Sequence, residues 1–187
     1  RNPTAAATML CMSKANIMSI QEHGISFHGC IKSFNDSINK AGYRAIFAEK
    51  ACLIYDHDLI GACLAESGSL LKGRLIWSVF YFSEYNQIII LSIYGVAYCG
   101  SNTMDTNSAS YMTRKELLGQ TRRRLLHLKR KYRGAKIVIL GDLQDTVHAS
   151  DVLGSYKKDW KQNPNSILAI AIKDENMTSI VREETTK

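Results

Sequence analysis

The stretch KIVILGDLQDT, residues 136–146, decides how the rest of the chain reads. Behind Lys136 come four residues that are β-branched or leucine, Ile137 to Leu140, and the run stops on Gly141-Asp142. Such a run predicts a buried strand. An ionised carboxylate is costly to bury without a partner. An acid at the tip of such a strand is therefore either a turn or helix-cap residue or a group placed in a cleft, where carboxylates do chemistry.

Two other segments end in the same way. NIMSIQEH, residues 16–23, carries an apolar strand to Glu22, and IIILSIYG, residues 88–95, carries another to Tyr94. Gln144 follows Asp142 at a spacing of two. Each of these side chains can bind a metal, a phosphate or a water. If the three strands are neighbours, their tips meet in one cleft.

Outward from these segments the chain alternates between periods. Residues 5–14 predict the end of a helix, and 25–42 place Ile31, Phe34 and Ile38 at helical spacing before Gly42. Strands are predicted over 43–50, 51–56, 59–67, 74–82 and 87–95, with turns at Asp56-His57-Asp58 and Glu84-Tyr85-Asn86. Residues 100–110 are small and polar and predict a loop. Residues 108–134 predict a long helix with Leu117, Thr121, Leu125, Leu128 and Tyr132 on one stripe. Beyond residue 148 two further strands are expected, over 167–172 and 177–181. The antiparallel block in the middle, flanked by helices, argues for an α/β protein with two packed sheets.

Composition narrows the classes. A chain of 187 residues with 45% hydrophobic residues is long enough for one domain with a sizeable core. No run of 18 apolar residues is present, so a spanning helix is excluded. The five cysteines (Cys11, Cys30, Cys52, Cys63, Cys99) are odd in number and form no C-x-x-C pair, as expected of reduced core thiols in a nuclear or cytoplasmic protein. His23 and His28 suit neither a helix face nor a strand pair for metal binding. Neither G-x-G-x-x-G nor G-x-x-x-x-G-K occurs.

The net charge of +7 is concentrated in one place. From Arg114 to Lys136 there are ten lysines and arginines against one acid, Glu116, while the rest of the chain is slightly acidic. Arg122, Arg123 and Arg124, with Lys129, Arg130 and Lys131, make two clusters on the predicted helix. An ordinary solvated helix face mixes signs, and this one hardly does. A polyanionic partner is expected, with phosphate contacts at these six residues and an affinity that falls steeply with salt.

With these residues in view, the chain resembles the endonuclease/exonuclease/phosphatase superfamily of DNase I-like fold. Within it, it is similar to the apurinic-type endonuclease domains of retrotransposons that lack long terminal repeats. IMSIQEH and IVILGDLQD carry the resemblance, with LSIYG between them. It covers about residues 16–145 of a single domain, 1–187, and leaves 146–187 as a divergent tail.

The resemblance implies a four-layer α/β/β/α sandwich of two mixed, mainly antiparallel sheets, and a nuclease that nicks DNA, with RNA as the other candidate. It implies that Glu22 holds Mg²⁺ or Mn²⁺, since these ions take hard oxygen ligands. It implies that Tyr94 hydrogen-bonds the scissile phosphate, that Asp142 orients or activates the attacking water, and that Gln144 stands with them.

The chain departs from the family in several places. Gly141-Asp142-Leu143-Gln144 stands where the family has Gly-Asp-Phe-Asn. The glutamine shifts the amide by one methylene, and about 1 Å of misplacement can cost on the order of 100-fold in rate. Val96 stands where proline commonly follows the tyrosine. No match exists for the family's first strand before Ala15 or for its Ser-Asp-His signature after Gln144, so an incomplete fold is expected. The rival expectation follows from these gaps: a catalytically inactive remnant that binds nucleic acid or serves as a scaffold subunit of a larger assembly. A phosphatase of the same superfamily fits the basic helix less well.

Overall fold

The computed structural model describes residues 14–25, 28–96 and 114–143. Its elements in chain order are β1 (Ile17–Gln21), α1 (His28–Lys40), β2 (Tyr43–Phe47), β3 (Ala51–Asp56), β4 (Leu64–Leu70), β5 (Leu75–Ser83), β6 (Asn86–Ile93), α2 (Arg114–Lys131) and β7 (Lys136–Leu140). They form an α/β protein with two sheets. One sheet has the order β1-β3-β2, and the other has the order β4-β5-β6-β7. Every pairing is antiparallel except β6 with β7, which run parallel.

The period of two along each strand sorts side chains between layers. On β3, Ala51, Leu53 and Tyr55 join Ile76, Phe80 and Ile90 of the other sheet in the inter-sheet core. Cys52 and Ile54, on the opposite face of β3, pack with Phe34 and Ile38 of α1. On β5 and β6, Leu75, Trp77, Val79, Ile89, Leu91 and Ile93 face Leu117, Leu118, Leu125 and Leu128 of α2. The layers therefore run α1, three-stranded sheet, four-stranded sheet, α2. Most of these side chains are fully buried, and each such aliphatic contributes about 1.5–3 kcal/mol relative to exposure.

The stripe expected on the long helix is the one that docks. Leu117, Thr121, Leu125, Leu128 and Tyr132 are all buried. Gly42 takes φ +85 just past α1 and starts the turn into β2.

Two expectations need correction. The strand predicted over 59–67 starts only at Leu64, because the preceding residues are wound into a turn. Ile60 N–H donates to Asp56 O (3.1 Å), Gly61 N–H donates to His57 O (2.9 Å), and the Asp56 carboxylate accepts from Leu59 N–H at 3.0 Å. The strand then runs through Gly68 to Leu70, past the expected end. Gly68 is there because Trp77 of β5 lies across it: a Cβ would sit 2.3 Å from the indole.

The second correction concerns β7, which is not a buried strand. Among the described residues it is the edge of its sheet, and its side chains are half-buried or exposed, with Val138 37% accessible. Its apolar run serves two faces, since Ile137 and Ile139 pack toward α2 while Leu140 packs toward the other sheet. Of the helix end expected at 5–14 only Lys14 is described, and it is not helical; the loop at 100–110 and the strands at 167–172 and 177–181 lie outside the described residues.

Candidate functional site at three strand ends

β1, β6 and β7 end on one side of the two sheets, and the topology explains why. β6 and β7 run parallel in register, Ser92 beside Leu140, so Tyr94 and Asp142 leave the sheet together. β1 lies in the other sheet but is tied to β6 through the core. Ser19 and Ser92 share a hydroxyl–hydroxyl hydrogen bond of 2.5 Å, and Gln21 Nε2 donates to Ser19 Oγ at 2.6 Å. These side chains cross the inter-sheet layer where apolar packing gives way to the site.

At the tips, the Tyr94 hydroxyl donates to Glu22 Oε1. Gly95 N–H donates to the Asp142 carbonyl at 2.7 Å. Glu22 and Asp142 are exposed, and Tyr94 is half-buried. The hydrogen bond to Glu22 raises the Tyr94 phenol above its ordinary range; burial and the Glu22 and Asp142 charges add to this, and Arg74 opposes it. Tyr94 therefore remains a proton donor throughout the neutral range.

Backbone geometry holds the tips in place. Glu22 has φ +50, a left-handed conformation uncommon for glutamate, and its N–H donates to Lys50 O at 2.9 Å. Lys14, Leu71 and Lys72 share this region, so positive φ is not peculiar to the site. Gly141 is more demanding. It has φ +124, and a Cβ there would meet Ile93 O at 2.2 Å and Gln21 Nε2 at 3.0 Å. The glycine before Asp142 is thus required by the close passage of β7 over the end of β6.

Arg74, just before β5, is a residue that sequence reasoning missed. Its guanidinium lies 4.6 Å from the centre of the Tyr94 ring and donates to Gly95 O at 2.8 Å. Its own carbonyl accepts from Tyr94 N–H at 2.8 Å. Arg74 thus clasps the two residues after β6 from both sides. The sequence signal was weak: one cation between a glycine and an apolar strand.

Both ring nitrogens of His23 contact the backbone. Its Nδ1 accepts from Ile25 N–H at 3.0 Å, which leaves Nε2 to donate to Ala48 O at 2.9 Å. Gln144 lies outside the described residues. Among the described residues, no three His, Cys, Asp or Glu side chains gather as a ready metal cage.

The basic clusters sit on α2, on the outer side of the four-stranded sheet. Arg122, Arg123, Lys129 and Arg130 are exposed. Arg124 is partly buried with its guanidinium 4.0 Å from the Trp77 ring centre, and Lys131 donates to the Glu66 carboxylate. Two of the six expected phosphate contacts are therefore also packing contacts. Among the described residues, no helix is long and apolar enough to cross a membrane. A scan against models of protein families finds no match for this chain, and a search among curated proteins finds none.

Proposed function

We propose that this chain is a phosphodiesterase dependent on Mg²⁺ or Mn²⁺, an endonuclease domain of the retroelement type with a DNase I-like sandwich, and that it nicks DNA. One observation carries the reading: three segments far apart in sequence bring Glu22, Tyr94 and Asp142 to one end of the two sheets, with Tyr94 hydrogen-bonded to Glu22.

The donor set suits the ion. Glu22 offers hard, exposed carboxylate oxygens, and Mg²⁺ is commonly held by one or two carboxylates, with water and substrate phosphate completing the shell. When bound, the ion supplies charge stabilisation to the phosphoryl and leaving oxygens.

The chain's own residues do the rest. The Tyr94 hydroxyl, now donated to Glu22, turns to a phosphate oxygen when substrate arrives. Its raised pKa keeps it a donor. Asp142 accepts a proton from the attacking water or orients it. Arg74 fixes the Tyr94 ring and adds positive charge beside the phosphate. The odd number and wide spacing of the cysteines favour a reducing compartment, nucleus or cytoplasm.

A second reading is an inactive remnant that binds nucleic acid within a larger assembly. It is favoured by Gln144 in place of the family's asparagine and by a basic α2 on the outer side of a sheet. A nicking assay on supercoiled plasmid with Mg²⁺ or Mn²⁺, beside Glu22→Ala, separates the two. Nicking that is lost in Glu22→Ala, which keeps its affinity for DNA, is the expected outcome. Absence of nicking by the wild type, with salt-sensitive retention of DNA or RNA, sinks the enzyme reading and leaves the second.

A further inference from the structure

We infer that a groove between α2 and the end of β4 binds a backbone phosphate flanking the one held at the strand-end site. The inference rests on the polynucleotide reading above. The groove encloses about 230 Å³ and is lined by Leu70, Gln120, Arg123, Arg124 and His127. Spacings of three and four residues place the four helix residues on one side of α2. Ligand pockets generally run to about 300–1,000 Å³, so this groove suits one phosphate with part of its sugar.

The chemistry favours an anion. The Arg124 guanidinium lies over Trp77, 4.0 Å from the ring centre, a cation–π contact that anchors it beside the groove. Arg123 and His127 are exposed beside it, and Gln120 adds an amide donor. Glu66 is the acid whose field reaches His127. Its carboxylate accepts from Lys131 and, at 3.0 Å, from the Tyr132 hydroxyl. Its pKa is lowered chiefly by the Lys131 hydrogen bond, so its charge is already answered.

Position ties the groove to the site. Leu70 pairs with Leu75, and Leu75 pairs with Ile93, the residue before Tyr94. Leu70 therefore lies two strands across from the end of β6, a distance of about 10 Å. Successive phosphates of one strand advance about 3.4 Å along a duplex, so a few nucleotides span the gap. Exposed Arg122, Lys129 and Arg130 on the same helix suit a polymer better than a single nucleotide.

The test is anisotropy of a labelled DNA duplex titrated at several salt concentrations in the presence of a chelator, so that cleavage plays no part. The double variant Arg123→Gln/His127→Gln alters only exposed side chains. It is expected to weaken binding on the order of tenfold at low salt and to flatten the log–log salt slope by about one unit. Arg124→Lys, which keeps the charge and loses the planar fork, is expected to weaken binding as well.

Tight wild-type binding with an unchanged slope in the double variant overturns the groove and leaves the polynucleotide reading standing. No salt-sensitive binding by the wild type overturns both. Inorganic phosphate that competes at concentrations too low to alter ionic strength overturns the polymer contact in favour of a small phosphate ligand.

Discussion

The strand-end site and the long basic helix are built on opposite terms. At the site, three segments meet through backbone that has almost no slack: Glu22 at φ +50, Gly141 at φ +124, and an arginine clasping the turn after β6. On α2 the backbone is regular, the inner stripe is buried, and charges are spread over the outer face. A reacting centre needs atoms held to fractions of an ångström, whereas attraction to a polyanion needs only charge of one sign over an area. If this contrast is right, equivalent changes in the two regions have unequal and even opposite effects.

The most severe test is Gly141→Ala. The new methyl would overlap Ile93 O at 2.2 Å in a backbone conformation that L side chains rarely adopt. We expect a loss of roughly 3 kcal/mol or more, from strain plus overlap, read as a lowered urea midpoint. Nicking should fall further than stability does, since Asp142 is the next residue. A variant within about 0.5 kcal/mol of the wild type, the usual spread for surface changes, would mean that the strand ends are far looser than this geometry requires.

Arg74→Met ranks next. It removes a hydrogen bond to Gly95 O and the cation over Tyr94, together about 2 kcal/mol. It also has a readout that packing alone would not move. Arg74 opposes the rise in the Tyr94 pKa, so its removal should push the phenol still higher. A raised pKa means that the folded state favours the neutral phenol. That contribution is complete below about pH 10, where an unfolded tyrosine titrates, and is lost as pH rises through the folded value. In Arg74→Met the loss should move to higher pH. Phenolate absorbance checks this, with Tyr94→Phe identifying the signal, and an unmoved Tyr94 titration would break the proposed clasp.

How much of this was legible in sequence follows the range of the interactions. The α2 stripe was readable because helical period is local: each of its five residues is buried. The ends of β1, β6 and β7 were readable because an apolar run that stops on Glu22, Tyr94 or Asp142 announces a change of environment. Their convergence depended on strand order, which periodicity does not encode. β4 was misplaced because Leu59 and Ile60 look like strand formers, while Asp56 and His57 wind them into a turn. Exposure of β7 was missed because a sheet edge is a property of neighbours. Arg74 and the groove beside Leu70 arise from contacts across strands, and no short window of residues contains them.

The mildest prediction sharpens the comparison by reversing its sign. Gly119 lies within α2, and a Cβ added there meets nothing within 4 Å. No close approach or positive φ requires the glycine, so it leaves only its entropic cost in a helix interior. Gly119→Ala should therefore stabilise the protein by about 0.5–1 kcal/mol, seen as a higher urea midpoint with the m-value unchanged. DNA affinity should not change, because no charge is altered. The same substitution, Gly to Ala, would then break the strand-end site and strengthen the helix. That difference separates backbone confined by close contacts from backbone that has room around it. A destabilised Gly119→Ala would instead show that α2 is packed more tightly than its surroundings indicate, and the contrast between the two regions would fail.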